Sequence, residues 1–328
     1  PSMRGKAFTR YPDLRIKSIG SALQENGYGT SIFAAHHDKG FDNTAGFLSR
    51  DRGFDRFDIV EPWLSKKERA QKMKWGVEDK VFFRRFFDYL ADWNQTTPSS
   101  PKFVVLTTIA NHFPFNSMSD DRKLVYPDAS GIRQNYANSV RLVDEGIKVF
   151  FEELDRRGLA EDSIVIITGD HSFPMGEHGN YHLEAGYHDE SFRIPFFLYW
   201  KGKVAPKRIA RAHSQLDIAP TILDLLSINP GPNTLQGRSI IDKKAAQHPI
   251  YLVQPYSGKH LSIIQWPYKY RYFSKTGQEY FYHLEEDPME NKNRIDSLSP
   301  ERLQMYREGI QKMYISQFVI EKDQLLPK

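Results

Sequence analysis

The sequence predicts an α/β fold: a mainly parallel sheet sandwiched by helices, followed by a small C-terminal antiparallel sheet and a terminal helix. Three observations predict it. Helical and strand-like periods alternate through the first 243 residues, the strands read as near-continuous apolar runs, and the texture turns short, aromatic and β-rich thereafter. Apolar strands alternating with helices are what a parallel sheet covered on both faces requires. With 328 residues, 40% hydrophobic and 26% charged, the chain can bury one large core and carry an appendage. We divide it into an α/β domain over 1–243 and an α+β subdomain over 244–328.

The elements follow in order. "SIGSALQENGYGTSIFAAHH" gives a helix through Ile19 and Leu23, stopped near Gly27, and then a strand to Ala35. "NQTTPSSP" reads as a surface loop, and "KFVVLTTIANHFPF" as a buried strand ending at Asn111 and His112. Tyr136, Val140, Val143, Ile147, Phe151 and Leu154 recur at helical spacing until Gly158, and a strand over 164–167 follows. "RIPFFLYW" is a further buried strand, and "QLDIAPTILDLL" a helix with Pro220 in its first turns. "HLSIIQWPYKYRYFSKTGQEYFYHLEEDP" predicts short antiparallel strands around a Thr276-Gly277 turn, with a last helix over about 300–318.

Charge and composition exclude several functions. The balance of 45 basic against 41 acidic residues leaves a net charge of only +4 without any Lys/Arg block, so no nucleic-acid partner is indicated. Mild basicity suits an anionic substrate or an anionic membrane surface. With no cysteine, disulfides, thiolate metal sites and Cys nucleophiles are excluded from these residues. No apolar run approaches the ~20 residues that span a bilayer. The opening "PSMRGKAFTRYPDLR" has no initiator Met and reads as a piece cut from a longer protein. P-loop, GxGxxG, HExxH and GxSxG patterns are all missing.

The polar residues cluster where strands end, the edge at which open parallel sheets bind ligands. "SIFAAHH" delivers His36 and His37, "FVVLTTIANH" delivers His112, and "SIVIITGDH" delivers Asp170 and His171. Three such endings argue for one shared site. A carboxylate oxygen beside an imidazole nitrogen suits Zn, Mn or Mg-type ions; equally, Asp170 can cap a turn beside a hydrogen-bonded His171. His178 and His182 lie in "MGEHGNYH", which has no apolar period to bury. That loop is functional, or it holds them idly at the surface. His112 is either a donor to a phosphate or hydroxyl oxygen or a strand-terminal residue packed by Phe113 and Phe115 around Pro114. Asn43, in "GFDN", lines the same edge or makes a turn. His188 is a candidate to orient a ligand, Asp217 reads as a helix N-terminal residue, and His248, His260 and His283 read as structural. The chemistry this set suits is metal-assisted attack on an anionic ester.

These segments resemble a known family. "IVIITGDHSFPMGEHG", "ESFRIPF" and "SQLDIAPTILDLLSI" occur in the order of the hallmark segments of the sulfatase branch of the alkaline phosphatase superfamily. "WPYKYRYFSKTGQEYFYHLEEDPMENKN" is similar to that branch's C-terminal signature. Within the branch, "NHFPF" and "GFDNTAGFLSRDRGFDRFD" look most like lipoteichoic acid synthases and related phosphoglycerol transferases. The resemblance implies that Asp170 and His171 bind a divalent metal, manganese first, with Mg, Ca or Zn as the others. It implies that His112 contacts the substrate headgroup, with His178, His182 and Asn43 as further substrate-binding candidates. A metal-activated Thr, Ser or formylglycine would attack phosphorus or sulfur and form a covalent intermediate. The substrate would be an anionic phospholipid headgroup, of phosphoglycerol or phosphoethanolamine type, or another phosphate or sulfate ester. The parent protein would be anchored by N-terminal membrane helices with its catalytic domain outside the cytoplasm.

Departures from the family pattern set further expectations. The nucleophile and an acidic metal ligand belong upstream of Pro1; "PSMRG" matches only the end of the sulfatase nucleophile motif, and Ser2 and Thr9 are poor substitutes. The synthases' Trp-Asn-Arg element is not reproduced near Asn43. Where sulfatases place a sulfate-binding Lys after "GEHG", this chain reads "NYHLE", with His182 as the stand-in. The readings are thus a phosphoglycerol-type transferase or phosphodiesterase, a sulfatase, or a non-catalytic binding domain. With half its metal shell upstream, the chain alone is expected to bind metal weakly and turn over negligibly.

Overall fold

The computed structural model describes residues 7–14, 16–48, 52–71, 73–183, 186–231, 233–242, 248–254 and 259–322. The "PSMRG" opening and the 243/244 division lie outside the described residues. After a short α1 (Ala7–Arg10), the chain runs α2 (Ile19–Gln24), β1 (Gly29–Ala34), α3 (Thr44–Leu48), β2 (Arg56–Ile59), α4 (Lys66–Ala70), α5 (Asp79–Thr96), β3 (Lys102–Thr107) and α6 (Ile132–Arg156). It continues through β4 (Val165–Thr168), β5 (Phe196–Tyr199), α7 (Ile218–Leu225), β6 (Ile250–Val253), β7 (His260–Gln265), β8 (Tyr268–Phe273), β9 (Gln278–His283) and α8 (Pro300–Glu321). Two compact units result, one of residues 20–166 with 198–205, the other of residues 1–19, 167–197 and 206–328.

The unit built on residues 20–166 centres on a parallel sheet ordered β2-β1-β3. β1 alternates faces. Phe33 and Ala35 pack with Phe82, Phe86, Tyr89 and Trp93 of α5 and with Phe150 and Leu154 of α6, while Ile32 and Ala34 join Phe57 and α3 on the reverse side. Helices therefore cover both faces, as a parallel sheet demands. α5, which the hydrophobic pattern did not reveal, is an 18-residue helix with its buried aromatics spaced three and four apart. The small α4 is set by a capping box in which Ser65 Oγ accepts from Glu68 N and Glu68 accepts from Ser65 N.

Two expectations change here. The buried face of α6 is Asn138, Ser139, Leu142, Gly146, Phe150 and Leu154, so Tyr136 and Val140 are exposed. Polar and small residues hold that face because they have partners: Asn138 Oδ1 accepts from Val125 N (2.8 Å) and Tyr126 N (2.9 Å), and Ser139 Oγ donates to Asn111 Oδ1 (2.5 Å). The strand carrying "FVVLTTIANH" also ends early, at Thr107, so His112 sits on a loop. The Ala110 N–H turns out of the ladder to the buried Asp79 carboxylate (3.4 Å).

In the other unit, β6-β7-β8-β9 form an antiparallel sheet. One face carries Leu261, Ile263, Tyr270 and Phe281 and packs on Tyr306, Ile310 and Met313 of α8. α8 starts where Ser299 caps the Arg302 N–H with Pro300 in the first turn. Gly309 lets it lie close, since a Cβ there would fall 2.4 Å from Ile263 Cδ1. The opposite face mixes apolar residues, Ile250, Ile264 and Tyr282, with buried charged ones. Lys269 and Arg271 alternate with the inward tyrosines of β8 and stand opposite Tyr282 and Tyr280 on β9. Arg271 lies over the Tyr280 and Tyr187 rings at 4.0 and 4.4 Å. β4 and β5 pair with each other in a two-stranded sheet, so the three histidine-bearing strand ends belong to two sheets among the described residues, with β1 and β3 in one and β4 in the other.

Candidate functional site

β4 ends at Thr168, whose hydroxyl donates to Pro195 O (2.9 Å). The Gln215 side-chain amide, from the turn before α7, donates to Gly169 O (2.9 Å) and Asp170 O (2.8 Å). Two successive carbonyls are thereby fixed, and with them the direction of the Asp170 side chain. Both readings of this pair hold at once. Asp170 Oδ1 accepts the His171 N–H at 2.9 Å and closes a turn, while its side chain is 89% exposed and Oδ2 faces outward. His171 Nδ1 lies 2.9 Å from Ser172 O. A carbonyl only accepts, so in the neutral ring Nδ1 carries the proton and Nε2 the lone pair. Nε2 stands 3.7 Å from Asp170 Oδ2. Two lone-pair donors held side by side, with the imidazole tautomer set by a backbone carbonyl, are the donor set and outer support a divalent cation uses. The residues present fit a metal ligand pair.

The second histidine cluster is closed. His178 Nδ1 lies 2.8 Å from Glu190 Oε1, and Nε2 lies 2.6 Å from Met289 O. One imidazolium satisfies both acceptors. Partial burial works against that charge, but Glu190 and the Met289 carbonyl outweigh it and hold the His178 pKa above its ordinary value. His188 stacks on His178 with ring centroids 3.7 Å apart. Burial, then the charges of His178, Arg271 and Lys269, push the His188 pKa down to about 3. His178, His188 and Glu190 place three possible ligand atoms within 4.8 Å of one another. A metal would have to displace the proton on His178, whose nitrogens are both engaged, so the geometry offers no ring nitrogen to a substrate. His182 is exposed and held only through its backbone, Asn180 Oδ1 accepting from His182 N at 3.1 Å.

Beneath this loop the C-terminal signature acts as its anchor. Lys269 Nζ and Glu290 Oε1 are 2.7 Å apart with both side chains fully buried, and Glu290 Oε1 also accepts from Asp189 N at 2.6 Å. Asp287 Oδ1 and Oδ2 accept from Asn291 N and Lys292 N, and Asn293 Oδ1 from Phe281 N and Ile295 N. "DPMENKN" is therefore a turn that holds itself together and presents Met289 O to His178. Asp217 is a second buried centre, ringed by Ser214 N (3.0 Å), Arg238 N (2.9 Å), His248 Nε2 (3.1 Å) and His213 Nδ1 (3.4 Å). Burial opposes its charge, but the His213, Ser214 and Arg238 contacts hold its pKa below the ordinary carboxylate range.

In the unit that contains it, His112 is exposed. Its Nδ1 lies 2.7 Å from Phe113 O, which leaves Nε2 as the open nitrogen. The Trp75 ring stands 5.8 Å away and is 42% exposed, so it forms a wall beside the imidazole. Gly76 makes a bridge to His36 at the end of β1, where a Cβ would fall 2.2 Å from Ala35 O. Asp42 and Asn43 adopt left-handed φ of 53° and 58°, which their short polar side chains tolerate in a turn. Asn43 Oδ1 folds back toward Gly46 of α3. The reading of the sequence missed Trp75, Asp79 and Glu190. "KWGVED" was the one local signal for Trp75 and Asp79, since a lone Trp before a Gly outside any apolar period needs a reason to be there, and Glu190 had none.

The family model described as Sulfatase matches residues 5–228, and that of the N-sulphoglucosamine sulphohydrolase C-terminal region matches 176–313. Lipoteichoic acid synthase 2 of Bacillus subtilis is 26% identical over 321 residues, covering 93% of this chain and 46% of the relative. The chain thus spans about half the length of this curated relative. Its fold is similar to the lipoteichoic acid synthase LtaP of Listeria monocytogenes, with a TM-score of 0.67, 21% identity, and coverage of 88% of this chain and 72% of that one. It is also similar to the putative sulfatase yidJ of Bacteroides fragilis, with a TM-score of 0.66, 19% identity, and coverage of 94% and 79%.

Proposed function

The chain belongs to the sulfatase family, and on that premise we propose that it is part of a metal-dependent transferase or phosphodiesterase acting on phosphoglycerol-type headgroups of cell-envelope lipids. The observation that carries this reading is the open pair at the end of β4, where His171 Nε2 and Asp170 Oδ2 stand 3.7 Å apart with the tautomer fixed by Ser172 O. These two atoms would hold the metal, manganese first. When bound, such an ion polarises a phosphoryl oxygen and lowers the pKa of an attacking hydroxyl. Gln215 holds the backbone of the pair. His112, with Nε2 open and Trp75 beside it, is assigned to hydrogen-bonding a headgroup oxygen, with His182 and Asn43 as further contacts. His178 positions the loop through Glu190 and Met289 O. The nucleophile and the acidic ligand that complete the shell are assigned to sequence upstream of Pro1.

Likeness to the Bacillus synthase, together with "NYHLE" where sulfatases carry Lys, supports phosphate over sulfate esters. Among the described residues no helix is long and apolar enough to cross a membrane. We assign the parent's catalytic domain to the outside of the cytoplasm, an assignment that the resemblance to lipoteichoic acid synthases supports. A parent-length protein assayed on aryl phosphate and aryl sulfate esters tests the reading. We expect turnover of the phosphate; sulfate hydrolysis without phosphate turnover would sink it. For the 328 residues alone, manganese titration should give weak binding. Tight stoichiometric binding lost on Asp170→Ala would overturn the half-shell view.

A further inference from the structure

Asp79, in the first turn of α5, has no solvent exposure. Its Oδ1 accepts from Ala110 N at 3.4 Å, and the neighbouring Ile109 N–H adds to the favourable field at the carboxylate. Oδ2 has no hydrogen-bond partner. α6 closes the space above, for a Cβ on Gly146 would fall 2.5 Å from Asp79 Cβ. The surrounding charges do not neutralise it. Glu78, next along α5, is paired with Arg122 (2.5 Å) and Lys80 (3.2 Å). Glu145, beside Gly146 on α6, is paired with Arg122 (2.5 Å) and Arg141 (3.7 Å). The loop after β3 brings only backbone N–H groups, and among the described residues no cation pairs with Asp79. A buried carboxylate with one unfilled oxygen is costly as an anion. The burial of one on a helix start, with its other oxygen turned to a loop, calls for a use.

We propose that Asp79 is a positioning residue for the loop that carries His112, and that it acts through a proton: ionised, it draws the Ile109 and Ala110 N–H groups onto its oxygens; protonated, it relaxes them. His112 follows Ala110 by two residues, and Asn111 between them is held by Ser139. A change at Ala110 therefore reaches the imidazole through one short, pinned segment. Burial pushes the Asp79 pKa up to about 7, against the lowering pull of the two N–H groups and with a small push from Glu78. The transition falls in the neutral range. As a helix N-terminal acid, Asp79 also gains from the dipole when ionised, which keeps both states accessible. The inference uses the reading of His112 as a headgroup contact only for its consequence; the loop coupling stands apart from it.

The test follows the Asp79 side-chain carboxyl carbon, the Ile109 and Ala110 amides and the His112 ring by NMR across pH 5 to 9 on the 328-residue chain. In the wild type we expect carboxyl and amide signals to move together with a midpoint near 7, far above the ordinary 3.8. Asp79→Asn should keep the Ala110 hydrogen bond and abolish the amide transition, whereas His112→Gln should retain it. A carboxyl midpoint near 4, an amide transition that survives Asp79→Asn, or one lost in His112→Gln would each overturn the proposal. If Asp79→Asn fails to fold, the wild-type carboxyl signal and the His112→Gln amides still decide. A second readout is stability against pH. The folded state keeps a proton that the unfolded chain releases, so the wild type should lose stability as pH rises from about 4 to about 7, and Asp79→Asn should lose distinctly less over that range. If the parent enzyme instead proves indifferent to His112→Gln while the amide transition persists, the functional reading fails and this one does not.

Discussion

Two acid–histidine pairs lie in the same unit, seven residues apart in sequence, and physics treats them oppositely. In the His178–Glu190 pair both ring nitrogens of His178 are engaged, one of them by Glu190 Oε1, the His178 and His188 rings are stacked and half-buried, and the loop is tied to Met289 O and, through Glu290, to a fully buried Lys269. In the Asp170–His171 pair one oxygen and one nitrogen are used to set geometry, and the other two are left pointing outward. The first pair is finished; the second is prepared. Residue type does not distinguish a structural His from a proposed ligand here. What distinguishes them is whether each polar atom already has a partner.

The comparison can be broken from the closed side. Lys269→Met should cost the most, about 3–5 kcal/mol, because it strands the buried Glu290 carboxylate; chemical denaturation measures it. A loss below about 1 kcal/mol would mean that the anchor is not one. Glu190→Gln comes next, at about 1–2 kcal/mol, since the His178 imidazolium loses its charged acceptor. The pH dependence carries the sign. The folded-state pKa of His178 is raised, so its contribution is fully present below the ordinary 6.5 and is lost as pH rises through the raised value. Glu190→Gln should flatten that fall in a series of melting curves.

The open side gives the smallest stability effects and the largest ligand effects. Asp170→Ala removes an exposed carboxylate and should change stability by no more than about 0.5 kcal/mol, yet abolish whatever manganese binding calorimetry detects. A stability loss comparable to that of Glu190→Gln would show that Asp170 is structural after all. His171→Gln should behave like Asp170→Ala in both measurements.

Much of this was legible in the sequence, for reasons that differ between elements. β7, β8, β9 and α8 announce themselves by alternation, a Thr-Gly turn and a Ser-Pro start, all local signals. The Asp170–His171 pair was legible by type and by place, just after an apolar strand. α6 was legible as a helix but not in its face, because Asn138, Ser139 and Gly146 look solvent-exposed until their partners on the 110–126 loop are known. Asp79 resembles any acid at a helix start, and Lys269 any polar residue on the open face of a strand. Burial of a charge is decided by what packs over it from elsewhere in the chain, and no local pattern encodes that.

Gln215 has one more consequence. Its single amide nitrogen spends both protons on adjacent carbonyls, Gly169 O and Asp170 O, at the base of the open pair. Those two protons form a built-in spectroscopic gauge. A cation drawn to Asp170 would polarise the peptide groups they touch, and the Gln215 side-chain resonances would record its arrival without any label placed in the site.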